Sequence, residues 1–230
     1  MDKIKKITIK KSKRKSVTLQ CLEDGKLIVR APIGMSKREI MGIVEEKSAW
    51  IERTRQQLEK RRLQEEALTL ADSSYFPFLG RDLEVRRTRS KDPVVTVDSE
   101  KGHLEIAALD EENAKTALLS FIRQKAKSYL DERTEKWAQK MDLTYNTLRI
   151  KDQKTRWGSC SGRRNLNLNA RIMLAPPQVI DYLIVHELAH LVHMNHSRAF
   201  YGLVASYVPD YLEHQGWLKN HGYLLSWGRN

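Results

Sequence analysis

The chain has 230 residues, 40% of them apolar, and carries 41 Lys and Arg against 29 Asp and Glu, giving a formal charge of +12 and a pI near 9.7. That size and apolar content suffice for one large domain or two small ones that fold unaided, and the charge points to an acidic partner. No apolar run approaches the roughly 20 residues needed to cross a bilayer, and the basic start lacks a following apolar segment, so neither a membrane partner nor a secretory signal is expected.

The positive charge is concentrated early. Residues 1–70 hold 18 basic and 10 acidic groups, and residues 71–230 hold 23 and 19. "KIKKITIKKSKRKS" is dense enough to suggest nucleic-acid binding through this basic region, but its Ile4, Ile7 and Ile9 also place it in a folded element with one solvated face. Apolar and polar residues alternate from 4 to 31, with a turn signal at "EDGK", which predicts antiparallel strands. A helix is predicted from Ser36, whose spacing to Glu39 is that of a capping box, through "EIMGIVEEKSAWIERTRQQLEKRRLQEEAL". Ile40, Ile43, Val44, Trp50, Ile51 and Leu58 form its apolar face. Residues 59–72 are polar all round and read as an exposed linker. The division this suggests is a smaller basic strand-and-helix region over 1–70 and a larger domain over 71–230.

Further strands are predicted at "FLGRDLEVRRT", "PVVTVDS" and "HLEIAAL", then a long helix over 111–141 whose Leu118, Phe121, Ile122, Tyr129, Leu130, Trp137 and Met141 repeat at helical spacing. Strands follow at "TLRIKD", "RWGSCS" and "NLNLNARIML", the last two joined by a hairpin around "SGRRN". "APPQVIDYLIVHELAHLV" opens a helix with proline in its first positions, where a missing N–H costs nothing. No internal repeat is visible. The two cysteines, Cys21 and Cys160, lie far apart and read as reduced thiols of a soluble cytoplasmic protein.

The last of these helices carries the chemistry. His186 and His190 are one helical turn apart, so both side chains leave one face and can converge on a single ion about 2 Å from each nitrogen. Glu187 sits about 100° round the helix, beside that ion, where it can take a proton from bound water attacking a carbonyl. This H-E-x-x-H pattern is the residue set of zinc peptidases. Val179, Ile180, Leu183 and Ile184 surround Glu187 with apolar groups, and a carboxylate there is costly unless it meets a cation. A catalytic zinc needs a third protein ligand and an open fourth position. His193, His196, His214 and His221 are the candidates. "HMNHS" should end the helix and start a new one capped by Ser197, which swings His196 back toward the ion. His196 is therefore assigned as the third ligand and His193 as a rim residue, with His214 and His221 as surface groups.

From Arg156 to Gly222, "RWGSCS", "LNLNARIMLAPPQVIDYLIVHELAHLVHMNHSRAFYGLVASYVPDY" and "WLKNHG" resemble the YgjP-like metallopeptidase family, which is related to the SprT-like zincins. The resemblance extends through "KKSKRKSVTLQCLEDGKLIVRAPIGMSKREI" and thins between about 60 and 140. It implies an α+β zincin-like fold, a zinc ion on His186, His190 and His196, Glu187 as general base, and peptide or protein substrates. Tyr201 stands where the family usually carries tryptophan.

Beside the metal helix, Asn165, Asn167 and Asn169 share one face of "NLNLN", where the three amides either bind a peptide backbone or polar ligand or lie on the solvent side of an edge strand; Asn167, Asn169 and Arg156 are the candidate substrate-binding residues. Trp157 and Cys160 read as buried packing groups. Two other activities are compatible with a water-activating ion in a basic protein: hydrolysis of phosphate esters or nucleotides, for which no glycine-rich phosphate loop is present, and DNA-associated proteolysis localised by the basic region. A structural metal site would use four protein ligands, usually with cysteines, which this pattern does not supply.

Overall fold

The computed structural model describes residues 7–22 and 24–228, so Ile4 and Glu23, invoked above for a strand and a turn, lie outside the described residues. The chain divides into two compact units, Met1–Glu66 and Ala67–Asn230.

In the first unit, strands β1 (Ile7–Ser12), β2 (Thr18–Cys21) and β3 (Leu27–Pro32) form a sheet in the order β1-β3-β2. β2 is antiparallel to β3, with Thr18 opposite Arg30, as the turn signal predicts. β1 instead runs parallel to β3, with Ile7 opposite Leu27, which corrects the expectation of an all-antiparallel arrangement. The reason lies in β3: Leu27, Val29 and Ala31 are fully buried, so this strand takes the centre and the two more polar strands flank it.

Helix α1 (Lys37–Glu46) starts at Ser36 with the predicted reciprocal cap: the Ser36 hydroxyl accepts from the Glu39 N–H at 3.2 Å, and the Glu39 carboxylate accepts from the Ser36 N–H at 2.7 Å. The expected single helix is broken at Lys47, and α2 (Ser48–Ala67) follows. Ile40, Val44 and Ile51 close over β3, whereas Trp50, expected in the core, is 41% exposed. The helix runs to Ala67, as its pattern predicts, but the exposed-linker expectation fails at its end, where Leu70 is fully buried in the core of the second unit.

The second unit contains two sheets and the remaining helices. Strands β4 (Tyr75–Phe78), β5 (Arg81–Thr88), β6 (Val94–Asp98) and β7 (His103–Ala107) have the order β4-β5-β7-β6. Leu79 and Gly80, at φ of 50° and 76°, reverse the chain, so "FLGRDLEVRRT" spans the end of β4 and all of β5 rather than one strand. Helix α3 (Glu111–Lys140) is capped by Asp110, whose carboxylate accepts from the Asn113 N–H at 2.8 Å. It buries a stripe at every fourth position, from Ala114 through Leu118, Ile122, Ala126 and Leu130 to Ala138.

Strands β8 (Thr147–Lys151), β9 (Gly158–Cys160) and β10 (Asn165–Asn169) form the sheet beside the histidines, in the order β8-β10-β9. "ARIML" is a 3-10 turn, Ala170–Leu174, rather than part of β10. Helices α4 (Pro177–Ala189), α5 (Arg198–Tyr207) and α6 (Tyr211–Asn220) follow. One strand order therefore occurs three times, in β1-β3-β2, β5-β7-β6 and β8-β10-β9. In each case the first and third strands are parallel, the second is antiparallel to the third, and a helix comes next. The recurrence is one of topology, carried by alternation and turns rather than by repeated residues.

α4 is buried on most of its circumference, as a helix at the centre of a core must be. Its axial position is held by Asp181, which accepts two hydrogen bonds from Arg133 of α3 at 2.7 and 2.6 Å and one from the Trp137 indole at 2.8 Å. The result is a mixed α+β unit with the H-E-x-x-H helix locked between α3 and the third sheet.

Candidate metal centre and active site

α4 ends at Ala189, and His190 is its C-cap. Leu191 and His193 donate back to the carbonyls of Leu188 and Ala189, turning the chain at once. Ser197 then caps α5, its hydroxyl accepting from the Phe200 N–H at 3.3 Å. The turn returns His196 to the helix: its ring centroid lies 5.0 Å from that of His186 and 4.7 Å from that of His190. Their ligand atoms all fall within 4.8 Å of one another. Phe200, fully buried, forms a floor under all three rings at 4.5 to 4.9 Å.

The ring nitrogens are presorted. His190 donates its Nδ1–H to the His193 carbonyl at 3.0 Å, which leaves Nε2 as the lone-pair nitrogen. His186 Nδ1 lies 3.4 Å from the Tyr182 hydroxyl, and its Nε2 faces His196 Nε2 at 3.1 Å. Burial, and then the neighbouring His190 and His196, push the His186 pKa down to about 4. Burial lowers His190 too, partly opposed by its bond to His193. Neutral imidazoles with lone pairs converging at this distance fit a tetrahedral divalent ion, for which bond lengths of about 2.0–2.1 Å place nitrogens roughly 3.3 Å apart. His190 is 9% exposed and His196 lies at the surface, so the cluster opens to solvent on the His196 side.

Glu187 is 5% exposed, and its Oε2 has no hydrogen-bond partner among the described residues. Burial drives its pKa up to about 8, with the Arg156 guanidinium pulling the other way. A cation beside it would oppose that burial and favour the carboxylate. The carboxyl group lies against β9, where a Cβ on Gly158 would stand 2.5 Å from Glu187 Oε1.

The strand beside the histidines differs from expectation. β10 is central, and β8 and β9 are the two edges of this sheet, with β9 the one beside Glu187. Among the three asparagines, Asn165 accepts from the Thr147 hydroxyl at 3.0 Å and Asn167 donates to the Ser159 hydroxyl at 3.1 Å. Asn169 is fully buried; its amide donates to the Gln153 and Arg156 carbonyls at 2.7 and 3.0 Å and accepts from the Arg171 N–H at 3.1 Å. It has no donor left for a substrate, and it shapes the loop leading into β9 instead. Asn167 is half-buried and Arg156 is exposed. Trp157 packs near Trp217 and donates to the Leu218 carbonyl at 3.3 Å. Cys160 is a half-buried free thiol, pushed up in pKa by burial and then by Glu187.

The other histidines are also relocated. His193 contributes its backbone carbonyl to His190. His214 has a side chain only 13% exposed, 3.2 Å from Asp210 and with its ring 6.1 Å from Tyr182. His221 stacks on Trp217 at 3.9 Å. Neither is the free surface group expected. Sequence reasoning missed Tyr182, although its place four residues before His186 was a usable signal, and it missed Phe200 and Gly158, for which no local signal exists.

An α+β unit that presents an H-E-x-x-H helix and a third returning histidine belongs to the zincin-like class. A family model described as "YgjP-like, metallopeptidase domain" matches residues 15–221, and the chain belongs to this family of metal-dependent peptidases. A solved structure, the metallopeptidase zymogen of Methanocaldococcus jannaschii jannalysin, is similar at 21% identity with a TM-score of 0.35, over 39% of this chain and 95% of that one. No curated protein matches. Among the described residues no helix is long and apolar enough to cross a membrane.

Proposed function

We propose that the second unit is the catalytic domain, that His186, His190 and His196 hold one zinc ion, and that Glu187 is the general base for hydrolysis of a peptide bond. The observation that carries this reading is the meeting of three imidazoles, their ligand atoms within 4.8 Å of one another, beside a buried carboxylate whose Oε2 has no partner among the described residues. When bound, such an ion lowers the pKa of a coordinated water and polarises the scissile carbonyl. Glu187 receives the proton at Oε2 and passes it to the leaving amine. Its apolar surroundings keep that carboxylate poorly solvated and therefore basic. Tyr182 and the His193 carbonyl orient the His186 and His190 rings through their Nδ1 atoms. The free edge of β9 pairs with the substrate backbone, bringing the carbonyl past Gly158 to Glu187, while the exposed Arg156 meets an acidic group nearby.

Glu187→Gln tests the assignment. The variant should bind zinc at one ion per chain and lose about 10²–10⁴-fold in peptide hydrolysis, the range expected for a general base. Unchanged turnover would remove Glu187 from the chemistry, and His196→Ala with full zinc occupancy and affinity would remove the third ligand.

A further inference from the structure

The first unit carries an open groove of about 670 Å³ of its own. One wall is the edge strand β2 with the residue before it, through Val17, Thr18 and Leu19; the other is the α1–α2 corner, through Ile43 and Trp50, with Lys47 and Arg53 also in the lining. Among the described residues β2 pairs with β3 alone. Leu22 donates to the Lys26 carbonyl at 2.8 Å, and antiparallel alternation from that pair puts Gln20 and Thr18 in hydrogen-bonded pairs with Ile28 and Arg30. The backbone groups of Leu19 and Cys21 therefore point off the edge. A free ladder edge facing an apolar helical wall is the geometry by which a sheet accepts one more strand.

The charge specifies the occupant. Glu46, the acid in the lining, is held by Lys47 at 2.8 Å, and among the described residues Arg53 in the same lining has no ion-pair partner. Lys13 and Lys15 are exposed on the β1–β2 loop next to Val17. Trp50, 41% exposed, offers an aromatic face for alternate side chains. A nucleic-acid strand has no amide ladder to offer the edge. We propose that the first unit binds an acidic, extended polypeptide segment as a fourth strand along β2, with alternate side chains against Trp50. For a peptidase this is a substrate-capture site separate from the metal centre, and its geometry does not depend on how that centre is read.

The experiment titrates a fluorescein-labelled eight-residue peptide of alternating glutamate and valine into the full chain carrying Glu187→Gln, by anisotropy, with and without chelator. Saturable binding is expected under both conditions, so failure of the metal-centre reading would leave it untouched. Affinity should fall at least tenfold in Trp50→Ala and in Arg53→Glu, both exposed positions whose folding is checked by melting. It should fall as far when alternate amides of the peptide are N-methylated, or when lysine replaces glutamate. Absence of binding, equal binding of the N-methylated peptide, or affinity unaffected by both variants would overturn the proposal. A labelled twelve-nucleotide thymidine strand that takes the same groove in preference to the peptide would overturn it too.

Discussion

Gly158→Ala places one methyl group where β9 meets the carboxylate of α4. The added Cβ would stand 2.5 Å from Glu187 Oε1 and 2.9 Å from both Cδ and Cγ. Ordinary contact begins roughly 1 Å further out, so either the Glu187 side chain or the strand must shift by about that amount. The backbone is not the obstacle, because Gly158 is absent from the glycines with positive φ. A misplacement of about 1 Å in a reacting group costs on the order of 10²-fold in rate, equivalent to about 2.7 kcal/mol of transition-state stabilisation. The expected result is a fall of that size in kcat/KM for peptide hydrolysis, with full zinc content because no histidine is touched. Gly202→Ala is the control, since nothing lies within 4 Å of a Cβ there and it sits inside α5; full activity and a gain of up to about 1 kcal/mol in stability are expected. A Gly158→Ala enzyme with parental kcat/KM and metal content would refute the idea that the bare strand positions the base.

Two further outcomes concern groups around the histidines. In metal-free protein the folded chain holds a proton on Glu187 up to about pH 8, while the unfolded carboxyl releases it near 4.5, so the folded state binds more protons between these values and stability falls as pH rises. His186 acts in the opposite sense: the unfolded ring binds a proton near 6.5 and the folded one only near 4, so its effect is an increase in stability that grows above about pH 4 and levels off about one unit above 6.5. Calorimetry with chelator should therefore show the parent losing about 1.5 kcal/mol relative to Glu187→Gln between pH 6.5 and 8; parallel curves would contradict the buried-acid argument. Tyr182→Phe should weaken zinc binding roughly tenfold and alter the d–d spectrum of the cobalt-substituted protein, because it removes the partner of His186 Nδ1. An unchanged affinity and spectrum would show that the 3.4 Å contact does not orient the ring.

Interactions spanning one or two helical turns were readable in one dimension. Caps at Ser36 and Ser197, the proline start of α4, and the pairing of His186 with His190 follow from periodicity and side-chain chemistry that neighbours in sequence supply. The return of His196 was also accessible, because a helix end and a new cap lie within eleven residues. What was not accessible were facts about neighbours distant in the chain. Alternation in "NLNLN" says which residues share a face, but not that β9 and β8 would enclose β10. That enclosure buries Asn169, with both amide hydrogens given to the Gln153 and Arg156 carbonyls, and leaves β8 and β9 as the edges of the sheet. The parallel pairing of β1 with β3, the burial of Leu70 and the exposure of Trp50 have the same origin, since each depends on which surfaces meet. The histidine cluster and Glu187 were thus inscribed locally, while their surroundings arose from long-range pairing, because a strand's partners are selected by the whole core rather than by its own residues.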